Sequence, residues 1–238
     1  MPDRGRLAAL LAIGAYNLIQ NLVVPVRAYV PANLAASLGL VALARRHGCS
    51  WDDLGLKPSK ARIGFQLGVV GVAASAAVAV AAGTNRTTRK YLLDERAARQ
   101  GGRDVAYRVL VRLPLGTALF EEVAFRGVVY GMWRRSGASP RKSAAAAAIT
   151  FGIWHLIPAN QALTGNPLGP RFTSCPSRVG VVVAGALLTS LSSFGFSWMR
   201  ERSGSLLAPW MTHAAINSAG YLAGVAAWRR TAPDPSDG

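Results

Sequence analysis

Acidic residues are scarce in this 238-residue chain: 11 Asp and Glu stand against 27 Lys and Arg, for a net charge of +16. Cysteine is scarcer still, with Cys49 and Cys175 alone, and histidine occurs three times, at His47, His155 and His213. Two isolated thiols in different connectors make neither a metal motif nor a disulfide framework. No pair of histidines lies four apart around a Glu, so the helix signature of soluble zinc proteases is absent. There is no Ser/Gly linker and no repeat of fixed period, and the lack of internal symmetry counts against a repeat-built transporter. Charge is also missing from long stretches. Leu7 to Val26, Tyr29 to Ala44, Ile63 to Gly83, Val109 to Met132, Ser143 to Ile157, Val179 to Met199 and Ser205 to Trp228 are largely apolar, and several approach the ~20 residues that cross a bilayer.

With 51% hydrophobic and 16% charged residues, the expected fold is all-α: a polytopic transmembrane helical bundle of about 6–8 apolar helices around an intramembrane polar cavity. Residues 1–230 read as a single integral membrane domain, and 231–238, with Pro and Asp, as a disordered tail. Arg4 and Arg6 precede an apolar run that continues to Val26 without a small-x-small cleavage site, which predicts a retained first span. The expected location is integral to a membrane, multi-pass.

The basic residues cluster in the connectors, a pattern that predicts contact with anionic lipids and excludes nucleic acid as a partner. They do not orient the chain. With alternating spans, one set of loops holds 13 Lys/Arg (Arg4, Arg6, Arg45, Arg46, Lys57, Lys60, Arg62, Arg134, Arg135, Arg141, Lys142, Arg200, Arg202). The other set holds 12 (Arg27, Arg86, Arg89, Lys90, Arg96, Arg99, Arg103, Arg108, Arg171, Arg178, Arg229, Arg230). The positive-inside rule does not decide between two such sets. The connector Pro158 to Arg178, with four prolines, reads as an irregular loop that either gates a site or only joins two spans. Gly64/Gly68 and Gly127/Gly131, at four-residue spacing, read as places of close helix approach.

Charge inside the apolar runs is concentrated in Leu119-Phe120-Glu121-Glu122-Val123-Ala124-Phe125-Arg126-Gly127. Each such charge costs about 2.5–3.5 kcal/mol at the centre of a membrane helix. Glu122 and Arg126, at i,i+4, can pair; Glu121 points elsewhere and is left over. Two histidines share the apolar setting, in Phe151-Gly152-Ile153-Trp154-His155 and His213-Ala214-Ala215-Ile216-Asn217. Phe151/His155 and His213/Asn217 are again i,i+4 pairs on one face, whereas His47 lies in a basic loop and is expected to be solvated. In lipid these polar groups are one another's best partners. Glu and His together can bind and deprotonate a water, and a second His with an Asn can donate hydrogen bonds to an oxyanion. The same Glu121, His155 and His213 are plausible zinc ligands.

Glu121-Glu122-x-x-x-Arg126, Phe151-x-x-x-His155 and His213-x-x-x-Asn217, in that order on apolar helices, resemble the motifs of the CPBP intramembrane proteases. That family includes the Rce-type CAAX prenyl endopeptidases and the Abi bacteriocin-immunity-like proteins. The resemblance runs from Leu119 to Asn217, within a core of about 105–228; Asp53-Leu54-Gly55-Leu56 also looks like a segment common in such proteins. It implies an intramembrane endopeptidase in which Glu121 and His155 activate water, His213 and Asn217 stabilise the oxyanion, and Glu122 and Arg126 orient or support. The substrate would be a membrane protein or lipidated peptide. The alternative is a non-catalytic immunity or scaffold protein that uses the same site for binding. A required cofactor is not expected. Zinc on Glu121, His155 and His213 is the alternative, and a shortage of acids to orient the two imidazoles weighs against it.

Overall fold

The computed structural model describes residues 2–89, 92, 100–164 and 175–231. Among them there is no strand, and the fold is an all-α bundle of eight principal helices. We number these α1 (Pro2–Leu22), α2 (Tyr29–Arg46) and α3 (Ala61–Thr84), then α4, an unbroken helical run from Gly102 to Arg135. After it come α5 (Pro140–Trp154), α6 (Leu156–Thr164), α7 (Cys175–Ser203) and α8 (Leu207–Thr231). The connector expected from Pro158 to Arg178 is shorter than its prolines implied, because α6 runs through Pro158 and α7 already begins at Cys175; 165–174 and the tail beyond 231 lie outside the described residues.

α4 is not a uniform α-helix. Arg108–Ala118 and Glu122–Val129 are wound as π-helix, with Leu119–Glu121 between them as α-helix. Pro114 lies inside the first stretch. It has no N–H to donate and its ring crowds the preceding turn, and the wider π winding relieves both. The Pro114 carbonyl accepts the Leu119 N–H five residues on, and also the indole N–H of Trp210 from α8 at 2.9 Å. Such windings recur at functional sites, and here Glu121 lies between them and Glu122 opens the second.

The core forms around α4. Phe120, Ala124, Phe125, Val128 and Val129 are fully buried against Ala9 and Ile13 of α1, Leu40 and Ala44 of α2, and Ala147, Phe151 and Trp154 of α5. α8 closes the other side, held by α3 through its small residues. A Cβ on Gly64 would meet Ser205 at 2.7 Å, one on Gly68 would meet Met211 at 2.7 Å, and one on Gly71 would meet Thr212 at 1.9 Å. The expected close approach at Gly64/Gly68 is therefore real, and it fixes α8 one turn before His213. Gly127 and Gly131 serve the loop between α2 and α3. Leu54 is wholly buried, and a Cβ on Gly131 would lie 2.4 Å from the Asp53 carbonyl oxygen. Gly55, at φ +71°, turns this loop so that its carbonyl accepts the Leu206 N–H.

The loops assort to two ends. Arg6 donates to Ser136, Gly5 packs on His47, Arg200 donates to the carbonyls of Asp52 and Asp53, and Gly204 packs on Lys60. The start of α1 thus shares one end with the loops after α2, α4 and α7. At the other end Ser218 meets the Val109 carbonyl and Arg178 donates to Asn160.

Three helical segments among the described residues are long and apolar enough to cross a membrane: Val26–Arg46, Pro58–Thr84 and Pro176–Ser203. That is fewer than the 6–8 expected, because α4 carries Arg108, Arg112, Glu121, Glu122 and Arg126 while α5 has only 15 residues. The spans expose apolar side chains outward, among them Val69, Val70, Val78 and Val80 of α3 and Leu187, Leu188 and Leu191 of α7, as a bilayer requires. The chain is a membrane protein.

Candidate active site

Glu121 and Glu122 leave α4 toward the same cluster, which the equal spacing of an ideal helix does not anticipate. Both are buried, at 5% and 0% exposure, as is Arg126 at 0%. Glu122 Oε1 lies 3.1 Å from Arg126 Nη1, so the expected i,i+4 pair forms. The same oxygen lies 2.7 Å from Nδ1 of His213 on α8. Glu122 is therefore shared between the cation and the imidazole. Glu121 is not left over either: its Oε1 accepts the indole N–H of Trp154 at 3.1 Å. Its Oε2 is buried with no hydrogen bond and faces two imidazole nitrogens, Nε2 of His213 at 3.5 Å and Nε2 of His155 at 3.8 Å.

The two histidines are anchored at their far nitrogens. His155 caps the C-terminus of α5, and its Nδ1 is 2.8 Å from the Phe151 carbonyl. A carbonyl only accepts, so Nδ1 carries a proton and the neutral ring presents a bare Nε2 to the site. His213 faces a carboxylate oxygen from each ring nitrogen, Glu122 at Nδ1 and Glu121 at Nε2.

Aromatic rings complete the walls. Phe196 of α7 stacks on the His213 ring, with centroids 5.0 Å apart and planes 17° from parallel. The Arg126 guanidinium lies between two rings, 4.2 Å from Phe151 and 4.9 Å from Phe196. It makes no hydrogen bond of good geometry, so its charge is held by Glu122 and by the faces of two phenylalanines. Trp154 is held by the N-terminal helices: Asn17 of α1 donates to its carbonyl at 2.8 Å, and Phe120 bridges Tyr16 and Trp154 with centroids 5.1 Å apart on each side.

The structure thus brings Glu121, Glu122, Arg126, His155 and His213 together. Asn217 lies one turn beyond His213 on α8, half-buried, and its side chain makes no hydrogen bond among the described residues. His47 is exposed at the far end of α2, as expected. Trp154 and Phe196 were not singled out in the sequence, and Phe151 was quoted as a motif position without a role for its ring. Trp154 and the Phe151 ring stand inside the quoted motif, at positions where an apolar helix explains them equally well; Phe196 carries no local signal, because only the packing of α7 against α8 brings it to His213.

A cleft of about 220 Å³ reaches Glu122 between α4, the start of α8 and the loop before α3, lined by Leu56, Pro58, Leu119, Val123, Leu206 and Trp210 among others. Where a polar cavity was expected, this opening is mainly apolar, with Glu122 in its wall.

The shortage of orienting groups that weighed against zinc is not present. Glu122 fixes the Nδ1 of His213 and the Phe151 carbonyl fixes that of His155, the outer support that metal-bound imidazoles use. Even so, no group of three or more His, Cys, Asp or Glu among the described residues is disposed to hold a metal ion.

Residues 104–219 match a family model described as Type II CAAX prenyl endopeptidase Rce1-like. No curated protein and no solved structure matches the chain.

Proposed function

Residues 104–219 place this chain in the CPBP family of CAAX-type intramembrane proteases, and from that premise we propose that it hydrolyses a peptide bond with a water held between Glu121 and His155. The observation that carries the proposal is the free Oε2 of Glu121 facing a bare Nε2 of His155 across 3.8 Å. Both atoms are acceptors, and a water can donate one hydrogen to each while its lone pair points outward. Glu121, anchored by Trp154 on its other oxygen, takes the proton as the water attacks the carbonyl carbon. The same group then delivers that proton to the leaving amine.

His213 supports the other half of the reaction. A carboxylate oxygen lies at each ring nitrogen, 2.7 Å from Nδ1 and 3.5 Å from Nε2, and in the reaction its Nε2–H donates to the oxyanion. Asn217, one turn further along α8, supplies a second donor from its amide. Glu122 and Arg126 position His213 and take no part in the proton transfers.

The apolar cleft that reaches Glu122 admits an apolar stretch of a membrane protein or a lipidated peptide. The protein works as a multi-pass protease of a bacterial cell membrane. The decisive experiment compares membrane proteomes of cells carrying the native chain and its Glu121→Gln variant, reading new N-termini. Cleavage products found with the native chain and missing with the variant support the proposal. An identical set of products from the two would overturn it.

A further inference from the structure

The basic connectors take no part in this chemistry, yet they build a cavity of their own. It lies at the end of the bundle where α1 begins and α2 and α4 finish, has a volume of about 580 Å³, and is lined by Arg46, His47, Gly48, Cys49, Met132, Arg135 and Ser136. That volume is within the ordinary range for small-ligand sites. Its charged lining is entirely basic.

The neighbouring arginines are committed, which separates them from the two that line the cavity. Arg45 donates to the Cys49 carbonyl at 2.6 Å and lies over the Trp51 ring. Arg6 donates to Ser136 and lies over the Trp133 ring. These contacts fix the cavity's walls. Arg46 is exposed and has no ion pair or hydrogen bond among the described residues; Arg135, about half exposed, has only Asp53 at 3.7 Å. Gly48, at φ +86°, brings its backbone against the Arg135 guanidinium, where a Cβ would lie 2.8 Å from Nη2. The turn therefore holds Arg135 at the cavity's edge.

We infer that this cavity binds the phosphate of an anionic phospholipid headgroup, with Arg46 and Arg135 as its charged ligands and Ser136 as a neutral one. The position favours a lipid over a free phosphate. Trp51 and Trp133 stand beside the cavity, and tryptophan gathers at the membrane–water interface. On α1, whose Gly5 packs on the cavity's His47, Leu7 and Leu11 are 57% and 63% exposed, so the helix beside the cavity turns an apolar face outward, as contact with acyl chains requires. A fork of guanidinium donors suits a phosphodiester.

The test uses the full-length protein in nanodiscs of phosphatidylcholine with rising fractions of phosphatidylglycerol, and native mass spectrometry counts the phosphatidylglycerol retained. Arg46→Gln and the double variant Arg46→Gln/Arg135→Gln are compared with Arg141→Gln/Lys142→Gln, which removes the same charge from the nearby connector outside the cavity. We expect at least a tenfold loss of retained phosphatidylglycerol in the cavity double variant, a several-fold loss with Arg46→Gln alone, and less than a twofold change in the control. Arg46 is exposed and makes no ion pair or hydrogen bond among the described residues, so its single variant reads binding with little cost to folding. Equal losses in the two double variants would show only bulk charge attraction and overturn the site, as would no loss in either. Displacement of the lipid by millimolar inorganic phosphate would overturn the lipid assignment in favour of a free phosphate species.

Discussion

Nδ1 of His213 lies 2.7 Å from Oε1 of Glu122, a contact between helices 91 residues apart in the chain. It makes the two adjacent glutamates unequal. Glu122 is wholly buried and holds two cations or donors at once, Arg126 and His213; Glu121 keeps one oxygen free for chemistry. Glu121→Gln should therefore lower cleavage at least a hundredfold while the protein accumulates normally. Glu122→Ala should lower yield as well, because it strands Arg126 without its counter-charge, a loss of about 3–5 kcal/mol for a broken buried pair. Membrane-fraction immunoblots beside a cleavage assay separate the two effects. Equal accumulation of both variants would refute the division of labour.

Trp154 is the contact that holds Glu121 in place. Trp154→Phe keeps an aromatic ring against Phe120 and Phe125 and removes the N–H. A hydrogen bond to a charged group contributes about 1.5–3 kcal/mol, so kcat should fall by about tenfold or more with KM nearly unchanged. A change confined to KM would mean that Trp154 belongs to substrate binding instead.

Most of the site was legible because membrane residence makes charge conspicuous. Glu121, Glu122, Arg126, His155 and His213 stand out in apolar helices, and lipid leaves them few partners except each other. The roles of the two glutamates were harder to read. The i,i+4 rule correctly paired Glu122 with Arg126, but it treated a paired acid as spent, and one carboxylate oxygen can serve both Arg126 and His213. The Pro114-containing π winding also changes where successive residues of α4 point, and period 3.6 does not carry that information. Apolar partners such as Phe196 gave no signal, since a phenylalanine in a membrane helix needs no explanation. The glycine pairs were legible in function and not in partner: Gly127 and Gly131 admit a loop, not another helix.

That loop gives a stability test. Gly131→Ala puts a Cβ 2.4 Å from the Asp53 carbonyl oxygen, a backbone atom with little room to move, whereas Gly39→Ala meets nothing within 4 Å. Overpacking of this kind costs about 1–3 kcal/mol. Gly131→Ala should lower the thermal midpoint of the detergent-solubilised protein by several degrees and Gly39→Ala should leave it unmoved. The same midpoint for both would deny the close approach of the Asp53 loop to α4.

The two cysteines report on topology. Cys49 is buried, unbonded and at the end shared with Arg135, and burial pushes its thiol up. Cys175 begins α7, whose 29 residues end at Ser203 beside the Asp52–Asp53 loop. At about 1.5 Å per residue this sets Cys175 roughly 40 Å from that end, far beyond disulfide reach. Denaturing alkylation with intact-mass measurement should therefore count two free thiols, with Cys49 slow to react in the native protein. A Cys49–Cys175 disulfide would refute the packing of α7.

Metal dependence is the sharpest open choice between chemistries at this site. Zinc would use Glu121 Oε2 with Nε2 of His155 and His213, so His213 would have no Nε2 proton to donate. The metal-free reaction keeps that proton and uses it on the oxyanion. The two schemes also treat Asn217 differently. An amide is a poor zinc ligand and a good oxyanion donor, so on the metal-free route Asn217→Ala should lower kcat by about 10²–10³-fold with KM little changed. Chelators should leave the purified protease active, and elemental analysis should find less than stoichiometric zinc. One zinc per chain, with activity removed by a chelator and restored by the ion, would make Glu121, His155 and His213 its ligands and move the activated water from the Glu121–His155 pair to the metal.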